Sequence, residues 1–173
     1  MSNTLARYLS IFLSMLLQTR MKRLQKVSLF SVAPKSAVPG LSPQCQLLLQ
    51  SYPTGKTLKG HKLVDQFALG ERYVLITDND NLFEEVLHIY LLDLELNLLD
   101  EMDISRPFTP GLYQLCSHDD TRIQFRFFDE GVWTLRIHQQ PQPRPLNYSP
   151  FPVRRPLKLW GQQYLSLDQS ASG

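Results

Sequence analysis

The clearest order in the chain is a period of two. Ile123, Phe125 and Phe127 alternate with Arg122, Gln124 and Arg126, and Trp133, Leu135 and Ile137 alternate with Thr134, Arg136 and His138. Successive side chains of a strand point to opposite faces, so each run has one dry and one wet side. Asp129-Glu130-Gly131 joins the runs with a glycine free to take a positive φ, which makes the pair a hairpin. Upstream, Lys62–Leu69 and Arg72–Thr77 pair across Gly70-Glu71, and Asp78-Asn79-Asp80-Asn81 is a strong turn signal. Leu112–Ser117 adds a strand that ends in His118-Asp119-Asp120.

The densest apolar stretch, Glu84 to Ile104, decides the architecture. Leu and Glu are strong helix formers, and Leu87, Leu91, Leu94 and Leu98 fall near helical spacing. Against that, Val86–Leu92 is a nearly unbroken apolar run with branched and aromatic members, which suits a strand covered on both faces. Asp93 and Asn97 supply turn chemistry, and Leu98–Ile104 returns as the partner. Set among hairpins, the stretch reads as two strands. The expected fold class is mainly β, a small antiparallel β-sandwich or open barrel of about seven to eight strands. Two propeller-like four-stranded sheets packed face to face are the variant, although no repeat is firm enough to define a propeller.

Before the sheet, residues 1–30 read as a basic amphipathic helical arm. Arg7, Ser10, Ser14 and Gln18 line one stripe, and Leu5, Leu9, Phe12, Leu13, Leu16 and Leu17 cover the opposite side. The uncharged run from Tyr8 to Thr19 is shorter than the ~20 residues of a membrane-spanning helix. Arg20, Lys22, Arg23 and Lys26 follow the apolar run, where a secretory signal has its basic residues first. An interfacial helix, an organelle presequence and an ordinary packed helix remain, as does a true start at Met21. On the interfacial or partner-docking reading, the contact residues are Arg7, Phe12, Leu16, Arg20, Lys22, Arg23 and Lys26. Residues 31–59 read as a linker holding one short helix over 43–51, with Ser42 at the N-cap, Pro43 first and Pro53 as the stop. The β-rich domain is expected over 60–167, including a Pro-rich strap over 139–156, with a disordered tail over 168–173.

Charge sharpens this division. Residues 1–64 contain nine basic residues and no Asp or Glu, whereas residues 65–173 carry the other nine with all sixteen acidic ones, a balance of −7. A chain halved in this way points its basic end toward something anionic, a lipid surface or a nucleic acid. Two cysteines, Cys45 and Cys116, do not make a disulfide framework and read as free, mostly buried thiols of a reducing compartment, although one bridge between them stays open.

Candidate chemistry is sparse. Gly55-Lys56-Thr57 looks like the end of a phosphate-binding loop, but Gln50 stands where that loop needs a glycine, and Pro53 precedes it, so no nucleotide is expected. Asp78, Asp80, Glu84 and Glu85 bring four carboxylates within eight residues. Asp78, Asp80 and Glu84 are weak metal candidates, because a calcium loop needs a glycine at its sharp turn and none occurs between Gly70 and Gly111; a solvated turn fits better. His88 reads as a satisfied sheet histidine, and Cys116 with His118 as a conceivable thiol–imidazole pair on one strand face. No cofactor is called for. The expected function is a non-enzymatic binding or interaction module, cytoplasmic or peripheral to a membrane, whose contact is an unidentified protein partner or an anionic membrane surface. A hydrolase using Asp/Glu or His side chains assembled only in the fold is the alternative. Nucleic-acid binding through the arm ranks third, since the sheet half is net acidic.

Overall fold

A computed structural model of the chain describes residues 23–36, 42–81, 83–128, 131–143, 151–156 and 162–170. They form thirteen strands: β1 (Gln25–Lys26), β2 (Phe30–Pro34), β3 (Gln44–Leu49), β4 (Tyr52–Lys59), β5 (Lys62–Leu69), β6 (Arg72–Asp78), β7 (Val86–Asp93), β8 (Leu98–Ser105), β9 (Gln114–His118), β10 (Arg122–Arg126), β11 (Val132–Pro143), β12 (Val153–Arg154) and β13 (Gln162–Ser170). Three open antiparallel sheets result, ordered β1-β5-β6-β7-β8-β12, β13-β11-β10-β9 and β2-β3-β4. The described residues contain no helix.

The six-stranded sheet is the middle layer. Val74, Ile76, Leu87, Ile89, Leu91, Met102 and Ile104 pack with Ile123, Phe125, Phe127, Trp133, Leu135, Ile137 and Leu165 of the four-stranded sheet. Leu75, Tyr90 and Leu92, one residue out of phase, pack with Phe30, Cys45, Leu47 and Leu58 of the three-stranded sheet. Period two sends neighbours to opposite faces, so a strand covered on both sides must be apolar throughout. The run from Val86 to Leu92 is of that kind. The stretch 84–104 is accordingly a hairpin in which Val86 faces Ser105 and Ile89 faces Met102. Its turn is held by Asp93 Oδ1, which accepts from Glu95 N (2.9 Å) and Asn97 N (2.8 Å). Leu96, not Asn97, takes the positive φ of 60°, because its side chain is drawn into the core.

Six expectations change. The described residues form thirteen strands where seven to eight are expected, residues 139–143 extend β11 instead of opening a Pro-rich strap, and Cys116, expected to be buried, is exposed. The segment 31–59, expected as a linker with a helix over 43–51, is the three-stranded sheet β2–β4. Cys45 and Leu47 alternate with Gln44 and Gln46, and the alternation outweighs the N-cap signal at Ser42. The arm, expected helical through residue 30, is extended from Arg23 onward: Leu24 is buried in the core and Gln25 and Lys26 pair with Ala68 and Phe67. Residues 168–170, expected as disordered tail, close β13, with Gln169 opposite Trp133 and Ser170 opposite Val132. Residues 1–22, most of the predicted amphipathic helix, lie outside the described residues.

Ion pairs fasten neighbouring strands and layers, and they join the two charge halves of the chain. Lys26 reaches Asp65 at 2.9 Å, Lys59 reaches Asp103 at 3.0 Å and Arg23 reaches Asp120 at 3.3 Å. The most enclosed pair is Asp100 with Arg155, at 3.0 Å. Asp100 also accepts from the backbone N–H groups of Tyr164 (2.8 Å) and Leu165 (2.9 Å), and Arg155 donates to Leu165 O. This clamp docks β13 on β8. Removing Asp100 takes the carboxylate away from a buried guanidinium and the acceptor away from two amides, so Asp100→Ala is expected to lower the unfolding free energy by about 3–5 kcal/mol. Urea denaturation checks it; a loss within the ~0.5 kcal/mol of ordinary surface changes would mean that the clamp is not needed.

Candidate functional site

One end of the stack carries a recess of about 580 Å³, in the range of small-ligand pockets. Three loops converge there: the β6–β7 loop after Asp78, the β8–β9 loop around Gly111, and the β10–β11 turn with Phe128 and Gly131. Each loop bends sharply at a non-glycine residue of positive φ, Asp80 at 52°, Phe108 at 53° and Phe128 at 63°. Gly111 is fixed by close approach. A Cβ there would sit 2.7 Å from the Phe127 ring, so only glycine lets the loop lie on the core.

The lining is mixed in charge. Lys62, Asp78, Asp80, Glu85 and Arg126 all border the recess. Glu85 is buried and organises its own loop: Oε1 accepts from Asn79 N (2.7 Å) and Val86 N (3.1 Å), and Oε2 accepts from Asn81 N (2.7 Å). Asp78, 8% exposed, has no hydrogen-bond partner for Oδ1. Burial foremost, then the Glu85 and Asp80 charges, push its carboxyl up to about 6 in spite of Lys62. Lys62, Asp80 and Arg126 form no close ion pair among the described residues. The rim is apolar and exposed, with Phe83 at 82%, Phe108 at 90% and Leu112 at 70%. Glu85 N donates to Thr109 O at 3.2 Å, which brings the Phe83 and Phe108 loops side by side.

The structure thus gathers Asp78 and Asp80 at the recess and leaves Glu84 exposed outside its lining. Among the described residues, no three His, Cys, Asp or Glu side chains form a metal-holding group. His88 is buried away from the recess. Its Nδ1 lies 2.8 Å from Asp103 Oδ1, and its Nε2 lies 3.0 Å from Asn79 Oδ1. Burial alone would raise Asp103, but the His88 and Lys59 hydrogen bonds and charges hold it below the usual carboxylate range. Cys116 and His118 do not pair: the Cys116 Sγ turns to Gln114 O, and the His118 ring packs edge-on against Phe67. Cys45 is a free core thiol, pushed up to about 11 by burial. Of the arm contacts, Arg7, Phe12, Leu16, Arg20 and Lys22 lie outside the described residues, while Arg23 and Lys26 are engaged by Asp120 and Asp65. Sequence reasoning missed Lys62, Arg126 and the Phe83, Phe108 and Leu112 rim. Only a cluster of apolar residues in turn segments hinted at the rim.

Asp78 binds its proton more tightly in the folded chain than at the ordinary 3.8. Its stabilising contribution is therefore complete below about pH 4 and is lost as pH rises through about 6, a change of ~1–3 kcal/mol. Asp103 has the opposite sign, and its contribution is lost as pH falls. Asp78→Asn is expected to gain stability relative to the parent between pH 4.5 and 7. Denaturant midpoints across that range check it, and a pH-independent difference would contradict it.

Comparison of the chain with protein-family models, with curated proteins and with solved structures yields no match.

Proposed function

We propose that the protein is a non-enzymatic interaction module, a sandwich-like stack of sheets that presents the loop end around the recess to a protein partner. The observation that carries this is the pairing of exposed Phe83, Phe108 and Leu112 with a recess whose Lys62, Asp78, Asp80 and Arg126 form no close ion pair among the described residues. Large exposed apolar groups beside charges without counter-charges are what a contact surface displays before it is covered. The hydrolase alternative finds less support. A raised Asp78 suits a general acid, but the nearby Glu85 is saturated by three backbone N–H groups, and no histidine lines the recess. Free Cys45 and Cys116 favour a reducing, cytoplasmic setting. No described helix is long and apolar enough to cross a membrane.

A photoreactive side chain at position 112 is expected to give a discrete adduct in cell extract that Phe83→Ser abolishes. The same group at Thr134, on the polar face of β11, is expected to give none. Equal labelling at both positions would contradict the proposal.

The basic arm is a second contact, favoured by the acid-free amphipathic pattern of residues 5–18 and by Arg7, Arg20 and Lys22. Full-length protein is expected to sediment with phosphatidylserine vesicles at low salt and to be released as salt rises. Charge reversal at Arg7, Arg20 and Lys22 should abolish sedimentation; unchanged sedimentation would remove the arm from the account.

A further inference from the structure

The close ion pairs of the described residues join neighbouring strands, layers or the ends of a turn: Arg23–Asp120, Lys26–Asp65, Lys59–Asp103, Arg122–Asp119, Arg136–Asp168 and Arg155–Asp100. The recess is different. Two carboxyl groups, Asp78 and Asp80, and two cations, Lys62 and Arg126, line one cavity of about 580 Å³ without closing on one another. Asp78 is more than nine-tenths buried, and its Oδ1, closed to solvent, lacks a hydrogen-bond donor, so its charge acts on the recess from behind the exposed Asp80. Buried polar atoms are nearly always satisfied, and an exception needs a reason. Lys62 sits near enough to act on Asp78 electrostatically, yet it makes no contact within ion-pair distance.

A wall that carries both signs complements an occupant that carries both signs. A ligand with only a cation would be opposed by Lys62 and Arg126, and one with only an anion by Asp78, Asp80 and Glu85. The occupant also has an apolar part, because Leu112 of the lining is exposed and the exposed Phe83 and Phe108 stand on the two loops that carry Asn81, Glu85 and Pro110 of the lining. A free amino acid would occupy only part of the cavity and leave those side chains uncovered. We propose that the recess receives an extended segment of a partner protein in which a lysine or arginine stands beside a glutamate or aspartate, with apolar residues on either side. The cation meets Asp78 and Asp80, the carboxylate meets Lys62 and Arg126, and the flanking residues cover Phe83, Phe108 and Leu112. This rests on the reading of the loop end as the contact surface.

The test is a titration of isotope-labelled full-length protein, followed by amide chemical shifts. The probes are acetyl-Leu-Lys-Glu-Leu-amide, its reversed Glu-Lys order, and versions with Lys, Glu or both replaced by Gln. In the better order, the doubly charged peptide is expected to bind at least about threefold more tightly than either singly charged one. Its shifts should centre on residues 78–85 and 107–113. Asp80→Asn should reduce it to the affinity of the Lys→Gln peptide. Asn accepts the φ of 52° at this position, so the loop is retained. Equal binding of all four versions would overturn the charge inference and leave the contact surface standing. No binding by any of them would overturn both. An unflanked acetyl-Lys-Glu-amide that binds as tightly as the flanked peptide would mark a small-zwitterion site and overturn the proposed peptide occupant.

Discussion

When an antiparallel sheet is covered on both faces, every acidic side chain in it needs a partner. That constraint organises this protein. Asp65, Asp100, Asp103 and Glu85 belong to the middle sheet or its edge, and each holds a segment that passes beside it. Asp65 takes the Lys26 ammonium and the Tyr113 hydroxyl, fastening β1 and the approach to β9. Asp103 takes Lys59 and His88, fastening β4. Asp100 takes Arg155 and two amides of β13, and Glu85 takes three amides of its own loop. The large apolar area on both faces supplies the drive to assemble, and the carboxylates determine which segment lies where.

The same tethers account for the uneven charge along the chain. A basic first third ahead of an acidic remainder invites a search for an external polyanion. Much of the counter-charge is internal. Arg23, Lys26 and Lys59 from the acid-free part meet Asp120, Asp65 and Asp103 from the acidic part. The N-terminal strands are thereby drawn onto a sheet that would otherwise expose one apolar face. What remains for an external surface is the charge of Arg7, Arg20 and Lys22, outside the described residues, together with Lys35 and Lys56, which reach Thr57 and Asn97, and Lys62 at the recess.

The loop end departs from this economy. Its charges line a recess without closing on one another, Phe83 and Phe108 face water, and Asp80, Phe108 and Phe128 hold left-handed backbone in its three loops. Residues held in that region cost free energy that the surrounding structure must offset, and such costs gather where function needs a particular loop shape. The core beneath is firm: Gly111 lies on Phe127, and Trp133 donates its indole N–H to Phe127 O at 3.0 Å. A rigid stack carrying shaped loops at one end is a common arrangement for recognition.

Side-chain alternation and turn residues by themselves determined that residues 62–138 are hairpins, that Asp93 begins the turn between β7 and β8, and that the Val86–Leu92 strand is covered on both faces. They did not determine what provides that cover. In β3 the apolar residues run together after Gln46, so the period is blurred, and Ser42-Pro43 imitates a helix start. Only the tertiary structure made residues 30–59 a third layer and brought Lys62 and Arg126, sixty-four positions apart, to one cavity with Asp78 and Asp80. The reason is physical. Local pattern tells which face of a strand is dry, but the partner face is chosen by long-range burial and by distant charges that find each other only once the sheets have stacked.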